Sequence, residues 1–321
     1  ANAGVYNDVI YTREGNDVVT TGRGVDVVEA SSGNDTLIVD WCAVTTAINH
    51  VYDAGGYLYS SGSGDSVRHY SIEMLNVTGG SGADYLSGFS GSDTLVGGAG
   101  NDTLNSSSGQ ATIDGGTGTD IWQADLSAIL DALVVNASTS QTTAQGTGAG
   151  HSIRKIEGFN LSTGAGNDNL NNSAYSVNDS VYTNAGNDTV ALGKGFDTVD
   201  GGGGVDTLVI NYSTMTTAIN RVYDSGWYVY GDKLNTATTR YYSFERFDLT
   251  GGSGSDFQRW YSSSRHGSVW ADAVPAVSPW TAWPLISIPA GSALASSQPS
   301  QAAAPGPLRT ARSRRLPQNT L

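Results

Sequence analysis

The chain has little of what a disulfide-bonded, thiolate-zinc or membrane-spanning protein needs. Its 321 residues include one cysteine, Cys42, and two methionines. A single cysteine excludes an internal disulfide framework and a zinc cluster built from several thiolates of this chain. No run of about 18 apolar residues occurs, so no segment is long enough for a membrane-spanning helix. Glycine is abundant at 42 residues. Because glycine in a helix costs roughly 1 kcal/mol relative to alanine, we do not expect a helical domain.

Proline is absent from most of the chain, and its distribution divides the sequence in two. All eight prolines lie between Pro275 and Pro317. Residues 1–256 carry 10 Lys or Arg and 29 Asp or Glu, whereas residues 257–321 carry six Arg and one Asp. We expect this basic, Pro-, Ala- and Ser-rich tail to be disordered, because it cannot bury enough apolar surface to offset its ordering entropy. The tail is interpreted as a secretion tail, a linker or the out-of-frame end of a broken reading frame.

Aspartates recur at a nonapeptide spacing in the acidic part, which indicates a repeat architecture. The strings around them agree, for example GGSGADYLS at 79–87, GGAGNDTLN at 97–105 and GGTGTDIWQ at 115–123. Because the chain begins with Ala inside such a repeat, we interpret it as a fragment. The aspartates in register or at block edges are Asp8, Asp17, Asp26, Asp35, Asp84, Asp93, Asp102, Asp120, Asp168, Asp188, Asp197, Asp206 and Asp256.

Each nonapeptide predicts a tight turn followed by a short strand. The glycines tolerate positive φ, which suits a turn. The three residues after each Asp have a central apolar side chain that would point inward from a strand. Two nonapeptides make one coil, and stacked coils give two parallel sheets around a thin core. The predicted inward residues are Val19, Val28, Leu37, Leu86, Leu95, Leu104, Val190, Val199 and Leu208.

Stacking places acidic side chains above one another along each edge of the coil. Asp8 would lie over Asp26, and Asp17 over Asp35, at the strand spacing of about 4.8 Å. Carboxylates at this separation repel each other by on the order of 1 kcal/mol per pair even in water. A hard divalent cation between the turns would reverse this repulsion. Carboxylate and carbonyl oxygens are the ligands that Ca²⁺ prefers, whereas Mg²⁺ demands a tighter octahedron, so the pattern favours calcium.

The repeats resemble those of the RTX, or haemolysin-type, family of calcium-binding nonapeptide proteins, whose consensus is GGxGxDxUx. The resemblance covers three blocks, 3–38, 79–123 and 163–209. It implies an all-β fold built from parallel β-roll (β-solenoid) blocks, several bound Ca²⁺ ions and export through a dedicated secretion channel. In that family the Asp carboxylate and the carbonyls of the second and fourth turn residues look like the ligands.

Carried over by position, the resemblance implies two groups of metal ligands. The carboxylates are Asp8, Asp17, Asp26, Asp35, Asp84, Asp93, Asp102, Asp120, Asp168, Asp188, Asp197 and Asp206. The backbone carbonyls are those of Gly22, Gly24, Gly33, Gly80, Gly82, Gly98, Gly100, Gly116, Gly118, Gly164, Gly166, Gly186, Gly195, Gly202 and Gly204. The sequence departs from the pattern at Ala111, which has no carboxylate, at Tyr6 and Arg13, which replace glycine, and at Asp179, which is out of register.

Inserts of similar length interrupt the repeats. The first and third match each other, since TTAINHVYDAGGYLY at 45–59 aligns with TTAINRVYDSGWYVY at 216–230. Alternating Tyr57, Leu58 and Tyr59 predict a strand, and the segment 72–77 predicts a strand that returns to the roll. Tyrosine pairs such as Tyr52 with Tyr57 are interpreted either as a sugar-binding face or as ordinary β packing. The predicted organisation has β-roll blocks at 1–40, 79–123 and 163–210, a further block starting at 251–256, β inserts at 41–78 and 211–250, a degenerate insert at 124–162, and the tail at 257–321.

No catalytic motif is visible in the sequence. The four histidines form no HExxH, and GxSxG, GxxxxGK[ST] and GxGxxG are absent. The acidic charge of the repeats argues against nucleic-acid binding. We therefore expect no enzyme in this part of the protein and no nucleic-acid partner.

Three functional hypotheses remain open. The first is a secreted, extracellular calcium-binding array that folds when Ca²⁺ becomes available outside the cell. The second is an adhesin or cell-surface array whose inserts bind a glycan or a protein. The third is the carrier segment of a secreted enzyme, such as a protease, lipase or epimerase, whose catalytic domain lies upstream.

Overall fold

The computed structural model describes residues 4–52, 55–106, 110–137, 142–145, 150–223, 227–230, 237–254 and 269–270. All regular secondary structure in these ranges is β-strand, and none of them contains a helix that could cross a membrane. The strands are β1 (Val9–Tyr11), β2 (Val18–Thr21), β3 (Val25–Glu29), β4 (Thr36–Asp40), β5 (Ile48–Tyr52), β6 (Gly56–Ser60), β7 (Ser66–Tyr70), β8 (Met74–Thr78), β9 (Tyr85–Ser87), β10 (Asp93–Ala99), β11 (Thr103–Asn105), β12 (Ala111–Thr117), β13 (Ile121–Asp125), β14 (Val134–Ala137), β15 (Thr142–Gln145), β16 (Ser152–Arg154), β17 (Gly158–Ser162), β18 (Asn169–Asn172), β19 (Ser180–Tyr182), β20 (Thr189–Leu192), β21 (Phe196–Asp200), β22 (Thr207–Asn211), β23 (Asn220–Tyr223), β24 (Trp227–Tyr230), β25 (Thr238–Tyr242), β26 (Arg246–Thr250) and β27 (Val269–Trp270).

The strands form three sheets. The long sheet has 14 strands in the order β1, β3, β7, β6, β5, β9, β11, β13, β17, β19, β21, β25, β24, β23. The six-stranded sheet has the order β16, β12, β10, β8, β4, β2, and the seven-stranded sheet has the order β15, β14, β18, β20, β22, β26, β27. Consecutive strands of the chain alternate between the long sheet and one of the shorter sheets within the repeats, as expected for a roll.

Strands within a repeat block pair in parallel with a step of two nonapeptides. Val9 pairs with Val27 in the long sheet, and Val18 pairs with Thr36 in the six-stranded sheet. The first step of the third block, from Asn169 to Thr189, is longer, because the spacing between Asp168 and Asp188 exceeds two nonapeptides. The predicted all-β fold of stacked parallel coils is therefore confirmed.

The core is thin and contains one central inward side chain from each short strand. All of the predicted inward residues, Val19, Val28, Leu37, Leu86, Leu95, Leu104, Val190, Val199 and Leu208, are at most 1% exposed and belong to one hydrophobic cluster. Side chains from the long sheet and from both shorter sheets meet in that cluster. Burial of each such side chain stabilises the fold by about 1.5–3 kcal/mol.

The first and third inserts have the same architecture. In the first insert β5, β6 and β7 form an antiparallel unit within the long sheet, and β8 then pairs in parallel with β4 and β10 of the six-stranded sheet. In the third insert β23, β24 and β25 form the same unit, and β26 pairs with β22. Each insert thus adds two extra strands to one face of the roll and then restores the parallel register.

The middle insert is built differently. Its strands β14 and β15 form an antiparallel hairpin in the seven-stranded sheet, and β16 and β17 then join the other two sheets. The predicted alternation in the first insert holds, because Leu58 is buried while Tyr57 and Tyr59 are half-buried. The rings of Tyr57 and Tyr59 stack with their centroids 5.2 Å apart. The side chains of Tyr52, Tyr228 and Tyr230 lie outside the described residues, and so does most of the tail 257–321, whose predicted disorder stays a prediction.

Candidate metal sites in the turns

The glycine turns stack directly on one another. Gly116 has a φ of 104°, and a Cβ built on it would lie 1.9 Å from the carbonyl oxygen of Gly98 in the preceding coil. A Cβ on Gly118, whose φ is 142°, would lie 1.7 Å from the carbonyl oxygen of Gly100. Only glycine fits at such positions, because any side chain would enter the backbone of the neighbouring turn.

Most of the glycines whose carbonyls were predicted as ligands lie in this tightly stacked region. Gly22 differs, since its carbonyl oxygen accepts a hydrogen bond from the Trp41 indole at 2.9 Å. The predicted glycines whose added Cβ would lie under 3.0 Å from a backbone atom of the neighbouring turn or insert are Gly24, Gly33, Gly80, Gly82, Gly98, Gly100, Gly116, Gly118, Gly164, Gly166, Gly186, Gly195, Gly202 and Gly204.

A ladder of hydrogen bonds orients the aspartates. In each case one carboxylate oxygen, Oδ1, accepts the backbone N–H of the aspartate in the preceding coil. The distances are 2.9 Å from Asp8 N to Asp26, 2.7 Å from Asp17 N to Asp35, and 2.8 Å for the pairs Asp84–Asp102, Asp102–Asp120, Asp168–Asp188 and Asp188–Asp206. The turn-to-turn spacing therefore fixes where the second oxygen of each carboxylate points.

The second oxygen, Oδ2, is buried without a hydrogen-bond partner in eight of these aspartates: Asp17, Asp26, Asp35, Asp102, Asp120, Asp168, Asp188 and Asp206. Buried polar atoms are nearly always paired in folded proteins, and an isolated buried charge is costly. The same kind of atom is thus left without a well-formed hydrogen bond in eight aspartates. Two of them, Asp168 and Asp188, lie near enough to the hydroxyls of Thr163 and Thr183 for these to oppose the rise in pKa that burial causes.

The surroundings of the unpaired oxygen are rich in other oxygens. A Cβ built on Gly97 would meet Asp102 Oδ2 at 2.2 Å and the Gly115 carbonyl oxygen at 2.6 Å. Within the described residues no cluster of three or more His, Cys, Asp or Glu side chains could hold a metal ion, so a site here must use backbone carbonyls. Carboxylate and carbonyl oxygens without a hydrogen-bond donor are the donor set of a hard cation, and these turns fit Ca²⁺.

Burial changes the titration of the ladder carboxyls. It raises the pKa of Asp84, Asp102 and Asp188 to about 6 and that of Asp120 to about 7. Burial also raises the pKa values of Asp26, Asp168 and Asp206. For Asp102 and Asp120 the charge of the preceding aspartate adds to the effect. Without a cation these groups compete for protons near neutral pH.

Asp93, Asp197 and Asp179 have both carboxylate oxygens occupied by hydrogen-bond donors. Asp93 accepts N–H groups from Leu75 at 2.8 Å and from Phe89 at 2.6 Å. Asp197 accepts the N–H of Asp179 at 3.1 Å and the hydroxyl of Thr239 at 3.2 Å. The out-of-register Asp179 accepts the N–H of Phe159 and the amide of Asn172. These three carboxylates are held by protein donors, unlike the eight with an unpaired oxygen.

Two further predicted aspartates differ in smaller ways. Asp84 accepts the N–H of Ile48 at 2.8 Å and, at a longer 3.3 Å, the N–H of Gly80. Asp8 begins the first ladder through its backbone N–H.

Ala111 occupies a ladder position without a carboxylate. Its backbone N–H points to Nδ1 of His151 at 3.3 Å. A neutral imidazole thus occupies the place of the next ladder carboxylate.

Three glutamates that end the ladders were not predicted from the sequence. Glu73, Glu157 and Glu245 each direct Oε2 to the backbone N–H of the last aspartate of a block, at 2.9, 2.8 and 3.0 Å. A signal was present, because the three occupy the same place at the ends of the inserts, in SIEML, KIEGF and SFERF. Their large separation along the chain from the aspartates they contact hid the relationship.

Comparison with known proteins identifies the repeats. Residues 2–37, 76–104, 87–121 and 175–209 match the model of the RTX calcium-binding nonapeptide repeat, in four copies. No curated protein matches the chain. The resemblance inferred from the sequence is therefore confirmed, and the cofactor of these repeats is Ca²⁺, bound as several ions. The matched family is defined by calcium binding and not by catalysis.

Proposed function

We propose that the RTX repeats of this chain form a secreted calcium-binding array that folds when it meets Ca²⁺ outside the cell. The observation that carries the proposal is the set of eight buried aspartate oxygens without a hydrogen-bond partner. We propose these oxygens as ligands, together with the carbonyls of the stacked turn glycines. The carboxylates are those of Asp17, Asp26, Asp35, Asp102, Asp120, Asp168, Asp188 and Asp206. Asp8 and Asp84 are added to the proposed set by their position in the same ladders, because both belong to the repeat pattern. Asp84 is the weaker candidate of the set, since its two oxygens already accept the N–H groups of Ile48 and Gly80.

The charge of the repeats supports coupling between metal binding and folding. The acidic part has 29 Asp or Glu against 10 Lys or Arg, so its compact state repels itself. Ladder carboxylates also lose hydration when the coils stack. With Ca²⁺ bound, the oxygens regain ligation and the charge is reduced, so binding free energy becomes folding free energy.

The calcium affinity expected of such sites indicates where the chain folds. Extracellular calcium modules bind with dissociation constants of about 10⁻⁴–10⁻³ M. Sites of that strength remain empty at the low free calcium of a cell interior and fill outside it. We infer that the chain travels unfolded and acquires its β-roll after export. An extracellular or cell-surface location is part of this proposal.

Circular dichroism of the purified chain tests the proposal. We expect a disordered spectrum in chelator and a β spectrum in millimolar Ca²⁺, with millimolar Mg²⁺ as the matched control that fails to fold it. A spectrum that is equally β-rich in chelator and in Ca²⁺ would show that the fold does not depend on metal. A chain that stays disordered at every calcium concentration would remove the proposal altogether.

The inserts offer weaker support for a partner-binding function. Tyr57 and Tyr59 stack in the first insert, but the guanidinium of Arg68 lies 4.7 Å from the centre of the Tyr57 ring. This aromatic face is therefore packed by the protein's own side chain, which favours ordinary β packing over a sugar-binding surface. A glycan array probed with the calcium-loaded chain tests the adhesin alternative, and saturable binding lost on Tyr59→Ala would favour it.

A further inference from the structure

The three inserts end in one local structure. Ser71, Lys155 and Ser243 have φ values of 54°, 52° and 57°, which non-glycine residues adopt rarely. Each is followed by an apolar residue and then by glutamate, giving Ser-Ile-Glu at 71–73, Lys-Ile-Glu at 155–157 and Ser-Phe-Glu at 243–245. A strained conformation that recurs at the same place in three different inserts indicates a shared constraint.

The glutamate occupies the place of the next ladder aspartate. Oε2 of Glu73, Glu157 and Glu245 accepts the N–H of Asp35, Asp120 and Asp206, the contact that Oδ1 of an aspartate makes inside a block. Each of these last aspartates is at most 1% exposed, and each has an unpaired Oδ2. The last turn of every block therefore has the same unsatisfied oxygen as the turns inside it.

In the second and third blocks the residue with positive φ supplies a carbonyl where the next turn would have supplied one. A Cβ on Gly115 would meet the Lys155 carbonyl oxygen at 2.0 Å and Asp120 Oδ2 at 2.6 Å. A Cβ on Gly201 would meet the Ser243 carbonyl oxygen at 2.5 Å and Asp206 Oδ2 at 2.9 Å. These surroundings match those of Asp102 Oδ2 inside the second block, where a Cβ on Gly97 would meet both that oxygen and the Gly115 carbonyl oxygen.

The first block shares the backbone contact of the other two blocks but not their glycine, because Ala30 stands five residues before Asp35, where the other blocks have Gly115 and Gly201. The backbone N–H of Ala30 donates to the carbonyl of Tyr70, just before Ser71, at 3.2 Å. In the third block the N–H of Gly201 donates to the carbonyl of Tyr242, just before Ser243, at 3.0 Å. The turn of Asp35 is thus docked on its insert as the turn of Asp206 is.

We propose that the second and third inserts each close their block with one additional calcium site, formed by the glutamate carboxylate, the carbonyl of the residue with positive φ, and Oδ2 of the last aspartate. The two sites pair Glu157 with Asp120 and Glu245 with Asp206. The inference rests on the proposed function, because it assigns further ligands to the same metal. Hydrogen bonding alone does not require this arrangement, since a glutamine would accept the same N–H without placing two carboxylates side by side.

Ion counting by native mass spectrometry of the full chain tests the inference. Glu157→Gln and Glu245→Gln are prepared singly and together, with Glu29→Gln at the end of β3 as the matched control. Glutamine keeps an acceptor for the aspartate N–H and removes the charge. We expect each single variant to hold one Ca²⁺ fewer than wild type, the double variant two fewer, and Glu29→Gln the wild-type number.

Alanine at the same positions separates ligation from hydrogen bonding. If the glutamine variants keep the wild-type ion number and only the alanine variants lose thermal stability, the glutamates are hydrogen-bonding caps and the inference is wrong. A wild-type chain that retains no Ca²⁺ overturns the proposed function itself, an outcome that the variants alone cannot produce.

Discussion

The two edges of the second block share a nonapeptide period but differ in chemistry. On the edge that leads into the long sheet, Asp102 and Asp120 have a buried oxygen without a donor. On the edge that leads into the six-stranded sheet, Asp93 is satisfied by two backbone N–H groups, Ala111 has no carboxylate, and His151 follows. Position in the period alone does not leave a carboxylate oxygen without a donor. The donors that the neighbouring segments bring to the carboxylate decide whether it has an oxygen to spare.

The third block shows the same division with the edges exchanged. Asp168, Asp188 and Asp206, which have unpaired oxygens, lead into the seven-stranded sheet. Asp179 and Asp197, whose oxygens are occupied, lead into the long sheet. The unpaired oxygens of the ladder aspartates thus lie along one edge of each of these two blocks, and that edge leads into the long sheet in the second block and into the seven-stranded sheet in the third.

Of the predicted effects, the largest is that of pH on the folding stability of the metal-free chain. The pKa of Asp120 rises from 3.8 to about 7 and that of Asp179 to about 8, so the folded state binds more protons than the unfolded state at neutral pH. The stability that such a carboxyl contributes is fully present below the pKa that it has in the unfolded chain. This stability is lost as the pH rises through the pKa of the folded state. Between about pH 6 and pH 7.5 the loss is on the order of 1 kcal/mol per carboxyl. In chelator we therefore expect a more β-rich spectrum at about pH 6 than at pH 7.5.

Three histidines act in the opposite direction. Burial lowers the pKa of His50 and His151 to about 4 and that of His69 to about 3, so they favour unfolding as pH falls below about 6.5. The variant Asp120→Asn isolates the contribution of the carboxyl. It should reduce the difference in β content between pH 6 and pH 7.5, and Asp125→Asn, at an exposed position, is the control. A chelated chain that gains β structure as pH rises to 7.5 would contradict the account.

Glycine substitution tests the stacking of the turns on the proposed calcium-binding edge. Gly118→Ala introduces a Cβ 1.7 Å from the Gly100 carbonyl oxygen at a φ of 142°. We expect a loss of about 3 kcal/mol in the free energy of unfolding, measured with denaturant in saturating calcium. Gly203→Ala is the control, because its nearest atom would be 4.0 Å away and its φ is not in the left-handed region. Equal stability of the two variants would mean that the turns do not stack as described.

The smallest expected effect on stability comes from the first block, where the basic side chain of Arg23 forms an ion pair. Arg23 contacts Asp65 at 2.8 Å, and Asp65 also accepts the N–H of Gly24 at 2.9 Å. Arg23 is partly exposed, so Arg23→Gln should cost only about 0.5–1 kcal/mol, measured by thermal unfolding in calcium. The exposed Arg13→Gln serves as control. A loss several times larger would show that this ion pair acts as more than a surface contact.

The periodic features of the fold were predictable from the sequence. The step of two nonapeptides and the inward residues, such as Leu95 and Val190, follow from short-range spacing of glycine, aspartate and apolar residues. The return strand of the first insert was also predicted and is observed as β8. Each of these features belongs to a short local pattern, so the sequence reveals it directly.

The use of each carboxylate was not predictable in the same way. Asp93 is satisfied by Leu75 and Phe89, and Asp197 by Thr239, a residue of the third insert that is distant in sequence. The closing glutamates act over similar distances. These contacts depend on how an insert returns to the roll, which a nonapeptide period does not encode.

Calorimetric titration of Asp102→Asn and Asp93→Asn with calcium tests the central claim most directly. Asparagine at 102 keeps one acceptor for the Asp84 N–H but removes the charge of the unpaired oxygen, so this variant should bind fewer Ca²⁺ ions than wild type. Asparagine at 93 loses a hydrogen bond to Phe89 or Leu75, so this variant should be less stable yet bind the wild-type number. Loss of ions from Asp93→Asn, with none lost from Asp102→Asn, would contradict the assignment of the unpaired oxygens as calcium ligands.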